Sequence, residues 1–191
     1  ANPVINDRSF GQNKKVVTDY SIAYMKGMQD NGVMATAKHF PGHGDVSVDS
    51  HLDIPIINKT KEQLDSMELV PFRALINAGI ESIMVAHLSV PSIDATKNLA
   101  TSLSPKAVNG LLKNELGFKG ISVTDALEMK GVTDAFPNGA AGVESLIAGV
   151  DMLCLPGEVA TVIQKIKEAI ATNRIGWKQI DENVMKVLET K

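Results

Sequence analysis

Short apolar runs of strand length alternate with longer amphipathic segments along this chain, and this alternation restricts the possible folds more than any other feature. Four runs have the length and composition of buried strands. They are VMATAKHF (33–40), IESIMVAHL (80–88), GISVTDA (120–126) and VDMLCLP (150–156). The segments before and between them carry apolar residues at helical spacing. Regular alternation of this kind predicts an α/β fold in which helices cover a parallel sheet.

Local signals mark where the helices begin and end. The first helical pattern starts at Lys14 and stops at Gly32. Thr60 and Gln63 have the spacing of a capping box, and Pro71 suits the first turn of a further helix. Ser104 followed by Pro105 indicates another helix start, and two closing helices are predicted at roughly 158–172 and 177–188.

Composition indicates a single globular domain over residues 1–191. Hydrophobic residues make up 44% and charged residues 21%, with a net charge of −3 that argues against nucleic acid or an anionic membrane as partner. No apolar run approaches the roughly 20 residues that a membrane-spanning helix needs. The one cysteine, Cys154, excludes an intramolecular disulfide, and its apolar surroundings predict a buried, unreactive thiol.

Polar side chains follow three of the predicted strands at the point where each strand ends. The first strand ends in Lys38 and His39, the second in His87, and the third in Asp125. In barrels and open α/β sheets alike, this edge carries the chemistry. A strand-end histidine can also be a hydrogen-bonded core residue, and Asp125 can also be an N-cap for the next helix. Because several such residues share one predicted edge, we favour a catalytic or binding site.

The segment KHFPGHGDVSVDSH (38–51) holds three of the four histidines of the chain. Asp49 lies two residues before His51, so its carboxylate can contact the imidazole, fix its tautomer and tune its pKa. Such a pair can transfer protons during catalysis. Gly42 and Gly44 permit backbone conformations that other residues avoid.

A metal site is the competing interpretation of this segment. Lys38 would repel a cation, and the Pro41-Gly42 pair prevents the helical spacing of a zinc protease motif. We therefore expect no metal. The possible ligands would be His39, His43, Asp45, Asp49 and His51.

The same segment, followed by LDIP (52–55), resembles the signature of glycoside hydrolase family 3, in the branch of β-N-acetylglucosaminidases that act on peptidoglycan fragments. The similarity extends over the chain. NPVINDRSFG resembles the loop after the fourth barrel strand, IMVAHLSVPSID the sixth strand and its loop, GISVTDALEM the seventh strand and AGVDMLCLP the eighth. The resemblance implies the C-terminal half of a (β/α)8 TIM-type barrel, about four β/α units that correspond to strands 5 to 8.

The resemblance also implies a retaining glycosidase mechanism without a cofactor. Asp125 matches the nucleophile of the family, His51 matches its acid/base, and Asp49 matches the residue that orients the histidine. A histidine then replaces one of the two carboxylates that most glycosidases use. The positions that match sugar-binding residues are Arg8, Lys38, His39 and His87.

The expected reaction is removal of a terminal β-linked N-acetylglucosamine, from peptidoglycan-derived sugars. A half-barrel has open sheet edges, so we expect this chain to self-associate or to pair with a missing N-terminal half, and to be weakly active or inactive alone. Two alternatives remain: a metal-dependent hydrolase on the same barrel, and a silent fragment that only binds sugar. The sequence leaves open whether the protein acts in the bacterial cytoplasm or in the cell envelope.

Overall fold

The computed structural model describes residues 5–44 and 54–190. A parallel three-stranded sheet lies at its centre, with strands β1 (Thr36–Phe40), β2 (Ser82–Val85) and β3 (Ile121–Thr124) in the order β1-β2-β3. Strands that are consecutive in sequence are neighbours in the sheet, and helices connect them. The predicted α/β fold with a parallel sheet is confirmed.

The helices occupy the segments that the sequence patterns predict. None of the described helices is long and apolar enough to cross a membrane. Helix α1 is Lys14–Gln29, and two short 3₁₀ turns lie at Asn6–Arg8 and Thr101–Leu103. The remaining helices are Lys61–Ser66, Leu69–Asn77, the π-helical Lys106–Glu115, Lys130–Thr133, Ala140–Ala148, Val159–Ala171 and Trp177–Glu189.

The helix start signals act as predicted. The backbone N–H of Gln63 donates to the Thr60 hydroxyl, and the Gln63 side chain accepts from the Thr60 backbone N–H, so the capping box is formed. Pro71 lies in the first turn of Leu69–Asn77. The Ser104 hydroxyl accepts from the backbone N–H of Ala107 at 3.2 Å, which satisfies a free donor at the start of the π-helix.

The prediction of a regular fourth strand is wrong for the described residues. The segment forms one isolated parallel bridge, between Met152 and Val123. Met152 donates its N–H to the Ser122 carbonyl, and its own carbonyl accepts from Thr124. Beyond this bridge, the N–H of Cys154 donates to the Thr124 hydroxyl at 3.0 Å. A side chain thus replaces the next ladder acceptor, and regular pairing ends although the segment still lies beside β3.

The main core packs the sheet against its covering helices and thereby fixes the strand ends. In β2, the central strand, Ile83 and Val85 are fully buried. At the end of β1, the buried ring of Phe40 packs edge-on against Phe72, with centroids 5.3 Å apart. The residues that follow each strand are therefore held by a packed core and not by loop contacts alone.

Candidate active site

Lys38 and His39 lie in an irregularity near the end of β1. The register with β2 shifts between Ala37 and Phe40, so that two residues of β1 oppose one of β2. A bulge of this kind redirects side chains that would otherwise alternate strictly between the two faces of a sheet, and bulges are common beside active sites. Lys38 is exposed, whereas only 12% of the His39 side chain is exposed.

Asp125 directly follows β3, and among residues 5–44 and 54–190 only one of its two carboxylate oxygens accepts a hydrogen bond. Its backbone N–H donates to the Val85 carbonyl at 2.9 Å, which ties it to β2. Oδ1 accepts from the backbone N–H of Ala126 at 2.9 Å, and Oδ2 lies 4.0 Å from Nε2 of His39. The N-cap alternative is wrong, because the next described helix begins only at Lys130. The carboxylate instead faces the residues at the end of β1.

The pKa of His39 is lowered from 6.5 to about 4. Burial is the main cause, and the Asp125 carboxylate opposes it. Three nearby groups lower the pKa further, namely Lys38, His43 and Arg8. At neutral pH the imidazole is therefore uncharged and offers one N–H donor and one acceptor. Arg8 is the last residue of the 3₁₀ turn 6–8. Its charge acts on His39, so it lies near the strand ends.

The turn after β1 requires glycine at position 42. Gly42 has φ of 138°, and a Cβ there would lie 2.8 Å from the Cβ of Glu68. Its N–H donates to the His39 carbonyl at 2.8 Å, which closes the turn. The buried His43 ring then packs against the His39 ring, with centroids 5.6 Å apart. Across residues 5–44 and 54–190, no group of three or more His, Cys, Asp or Glu side chains is arranged to hold a metal ion.

His87 is only 1% exposed and lies close enough to Asp125 for the charge of the carboxylate to affect its pKa. Its Nδ1 is 2.7 Å from the Ser102 hydroxyl oxygen, and its Nε2 is 2.9 Å from the Ala126 carbonyl oxygen. Burial lowers the pKa of His87, although the bond to Ala126 opposes this. The role of His87 as a sugar contact stays a prediction. Ser102 was not predictable from the sequence, because nothing local distinguishes this serine in ATSLSP.

The predicted acid/base His51 and its partner Asp49 lie outside the described residues, as does Asp45. Their roles stay predictions. Among the described site residues, the structure brings Lys38, His39 and Asp125 together at one end of the sheet.

Cys154, expected to be buried, is partly exposed near this edge, and burial with the nearby Asp125 charge raises its pKa.

Comparison with known proteins shows the family to which the chain belongs. The family model for the glycosyl hydrolase family 3 N terminal domain matches residues 1–190. This chain belongs to glycoside hydrolase family 3, and the resemblance seen in its motifs is confirmed.

Three relatives illustrate the similarity. Beta-hexosaminidase A of Pseudoalteromonas piscicida is 33% identical over 100% of this chain and 35% of its own length. A beta-hexosaminidase of Tolumonas auensis is 40% identical over 93% of this chain and 56% of its own length. The structure of a glycoside hydrolase family 3 beta-N-acetylglucosaminidase from Paenibacillus sp. str. FPU-7 matches with a TM-score of 0.96 and 37% identity, over 100% of this chain and 36% of that one. The chain thus spans about a third to just over half the length of these relatives.

Proposed function

We propose that this chain forms the C-terminal half of the (β/α)8 catalytic barrel, strands 5 to 8, of a retaining β-N-acetylglucosaminidase. One observation carries the proposal. Asp125 stands at the end of β3 with Oδ1 anchored on a backbone N–H and Oδ2 open toward His39. A carboxylate held in this way is oriented for attack, and its second oxygen accepts no hydrogen bond from the described residues.

In the first step, Oδ2 of Asp125 donates an electron pair to the anomeric carbon. The bond from that carbon to the leaving oxygen breaks, and a proton passes from His51 to the leaving oxygen. Water then attacks the same carbon while His51 accepts its proton, and the bond to Asp125 breaks. Two displacements at one carbon retain its configuration. Asp49 orients His51 and favours its protonated form.

The sugar is bound by groups with complementary hydrogen-bonding capacity. Neutral His39 can donate to one hydroxyl and accept from another, since its pKa lies well below 7. Lys38 and Arg8 add cationic donors near the strand ends, suited to sugar hydroxyls and to an acetamido oxygen. The names of the relatives, beta-hexosaminidase and beta-N-acetylglucosaminidase, support an N-acetylhexosamine as substrate. We propose peptidoglycan-derived sugars as its source.

Exposed apolar side chains support the half-barrel arrangement. On α1, Tyr20 and Tyr24 are 58% and 64% exposed, and on the closing helix Trp177 is 64% exposed. In a complete barrel such side chains would pack against the neighbouring β/α units. We therefore propose that the chain pairs with an N-terminal half or with a second copy. A monodisperse monomer of the 191-residue chain in light scattering would contradict this.

Product stereochemistry and leaving-group dependence test the mechanism in the complete protein. With p-nitrophenyl β-N-acetylglucosaminide, NMR should show the β-anomer of the sugar first, and a chelator should leave the rate unchanged. An α-anomer would rule out Asp125 as nucleophile, and loss of activity with chelator would favour the metal-dependent alternative. The 191-residue chain alone should show little or no turnover.

The role of His51 has a separate test. His51→Ala should slow substrates with poor leaving groups far more than nitrophenyl substrates, because an acidic leaving oxygen needs less protonation. Equal losses on both kinds of substrate would remove His51 from the acid role.

A further inference from the structure

We infer that His87 is a positioning residue that orients Asp125 through the backbone of Ala126. The inference rests on the proposed role of Asp125 and extends it to a side chain that is only 1% exposed. The His87 ring is buried, and both of its nitrogens are hydrogen-bonded within the protein.

The partners of His87 define its tautomer. A backbone carbonyl can only accept, so Nε2, at 2.9 Å from the Ala126 oxygen, carries the proton. Nδ1 is then an acceptor, and the Ser102 hydroxyl donates to it at 2.7 Å. The neutral form satisfies both bonds at once, and burial favours it. Neither ring nitrogen is left for a sugar hydroxyl.

Ala126 connects His87 to the carboxylate. Its carbonyl accepts from His87, and its own N–H donates to Oδ1 of Asp125 at 2.9 Å. Any movement of Ala126 therefore moves the N–H group that donates to Oδ1 of Asp125. The opposite side of the same turn is held where the N–H of Leu127 donates to the Cys154 carbonyl at 3.0 Å. On the side of β2, His87 fixes this turn by its hydrogen bond to the Ala126 carbonyl.

Ser102 is itself fixed to the end of β2. Its N–H donates to the Ala86 carbonyl at 3.2 Å, and the neighbouring Thr101 hydroxyl donates to the same carbonyl at 2.7 Å. The hydroxyl that sets the His87 tautomer therefore comes from a buried turn anchored beside the histidine. A chain of hydrogen bonds thus runs from Ser102 to His87, from His87 to the Ala126 carbonyl, and from the Ala126 N–H to Asp125.

Two amide variants separate this role from plain core packing. The amide nitrogen of glutamine reaches the position of Nε2 and can donate to Ala126, whereas asparagine reaches only the position of Nδ1. We expect His87→Gln to keep most of the activity. His87→Asn should lower kcat by about 10- to 100-fold, the scale for lost support of a reacting group, with KM unchanged. The melting temperature should not distinguish the two variants.

The serine offers a matched pair. Ser102→Ala removes the donor to Nδ1 and should also lower kcat. Ser145 is fully buried as well, and its hydroxyl has no hydrogen-bond partner among the described residues, so Ser145→Ala should leave kcat unchanged. A role in packing alone would instead lower the melting temperature in proportion to the loss of activity, and the kcat of the folded fraction would stay constant.

The decisive measurement is covalent labelling of Asp125 in the complete protein. A 5-fluoro N-acetylglucosaminyl donor should accumulate as an adduct, followed by intact mass and located by peptide mapping. His87→Asn should slow the labelling rate, and His87→Gln should restore it. Equal labelling rates for wild type, Asn and Gln variants would overturn the positioning role alone. No adduct on Asp125 in the wild type would overturn the proposed function, and the inference with it.

Discussion

Two aspartates lie at opposite ends of β3 and differ in almost every respect. Asp151 contacts the start of the strand, where one of its oxygens accepts from both the N–H and the hydroxyl of Ser122. Lys113 and Lys186 also bind its carboxylate, at 2.9 and 3.1 Å, and its side chain is 3% exposed. Asp125 follows the end of the strand, is 19% exposed and accepts from one backbone N–H.

The difference separates a structural carboxylate from one that can react. The hydrogen bonds from Ser122 and the charge of Lys113 lower the pKa of Asp151 although burial opposes this. Both carboxylate oxygens are bound by groups of the protein, and the side chain is almost fully buried. In the part of the chain that the structure describes, Oδ2 of Asp125 accepts no hydrogen bond and faces a neutral imidazole. A partly exposed carboxylate with few hydrogen bonds therefore indicates function better than a buried carboxylate with many.

The largest expected effect is the loss of activity in Asp125→Asn. An amide cannot form the glycosyl-enzyme bond, so kcat/KM should fall by about 10³-fold or more, the scale seen when a covalent nucleophile is removed. The melting temperature should change little. Turnover of p-nitrophenyl β-N-acetylglucosaminide by the complete protein, together with a thermal melt, measures both. Activity close to wild type would end the assignment of Asp125.

The reverse pattern is expected for Asp151→Asn. The change leaves Lys113 and Lys186 facing each other without a counter-charge, which for a buried pair costs about 3 kcal/mol of unfolding free energy. Both lysines are partly exposed, which favours the lower end of the usual range. Urea unfolding measures the loss, and the kcat of the folded fraction should be unchanged. A large fall in kcat without a loss of stability would break the distinction between the two aspartates.

A third test uses the titration of His39 to probe the open side of Asp125. The unfolded state takes up a proton near pH 6.5, but the folded state does so only near pH 4. Between these values the unfolded state binds more protons, so stability decreases as the pH falls, by up to about 1.4 kcal/mol per pH unit for this one group. Asp151 contributes only below this window, since its pKa is lowered from 3.8.

His39→Gln removes this contribution and keeps a polar side chain of similar reach. Urea unfolding of both proteins from pH 7 to pH 4.5 should therefore show a steeper loss in the wild type. His87 adds a similar contribution to both proteins and cancels in the comparison. Parallel pH profiles would mean that His39 is not held in its neutral form.

The comparison also shows what the sequence could predict. Asp125 was identifiable because a carboxylate directly follows an apolar run, and strand ends share one edge in a parallel sheet. Asp151 gave no signal inside VDMLCLP, where it looked like part of a strand. Its partners Lys113 and Lys186 are 38 and 35 residues away in the chain. Such contacts depend on the finished packing and leave no local pattern.

The same limit applies to the support of the site. The histidines at the ends of β1 and β2 were visible, but their different environments were not. His39 lies in a register shift that no periodicity reveals, and His87 takes its hydrogen bonds from Ser102 and Ala126. Sequence pattern predicted the strand ends, whereas the orientation of each side chain there was set by tertiary contacts.

The smallest expected effect concerns a third aspartate, on the surface. Asp19 on α1 lies 2.6 Å from Lys15, a shorter distance than the 2.9 Å between Lys113 and Asp151. Distance alone would rank this pair as the stronger one. However, Lys15 and Asp19 are 82% and 58% exposed, so water screens the pair and no buried charge is left behind when it is broken. Asp19→Asn should change the unfolding free energy by about 0.5 kcal/mol or less, in the same urea experiment as Asp151→Asn. A loss comparable to that of Asp151→Asn would show that exposure does not decide the strength of these ion pairs, and the contrast between the aspartates would then have to be explained by distance.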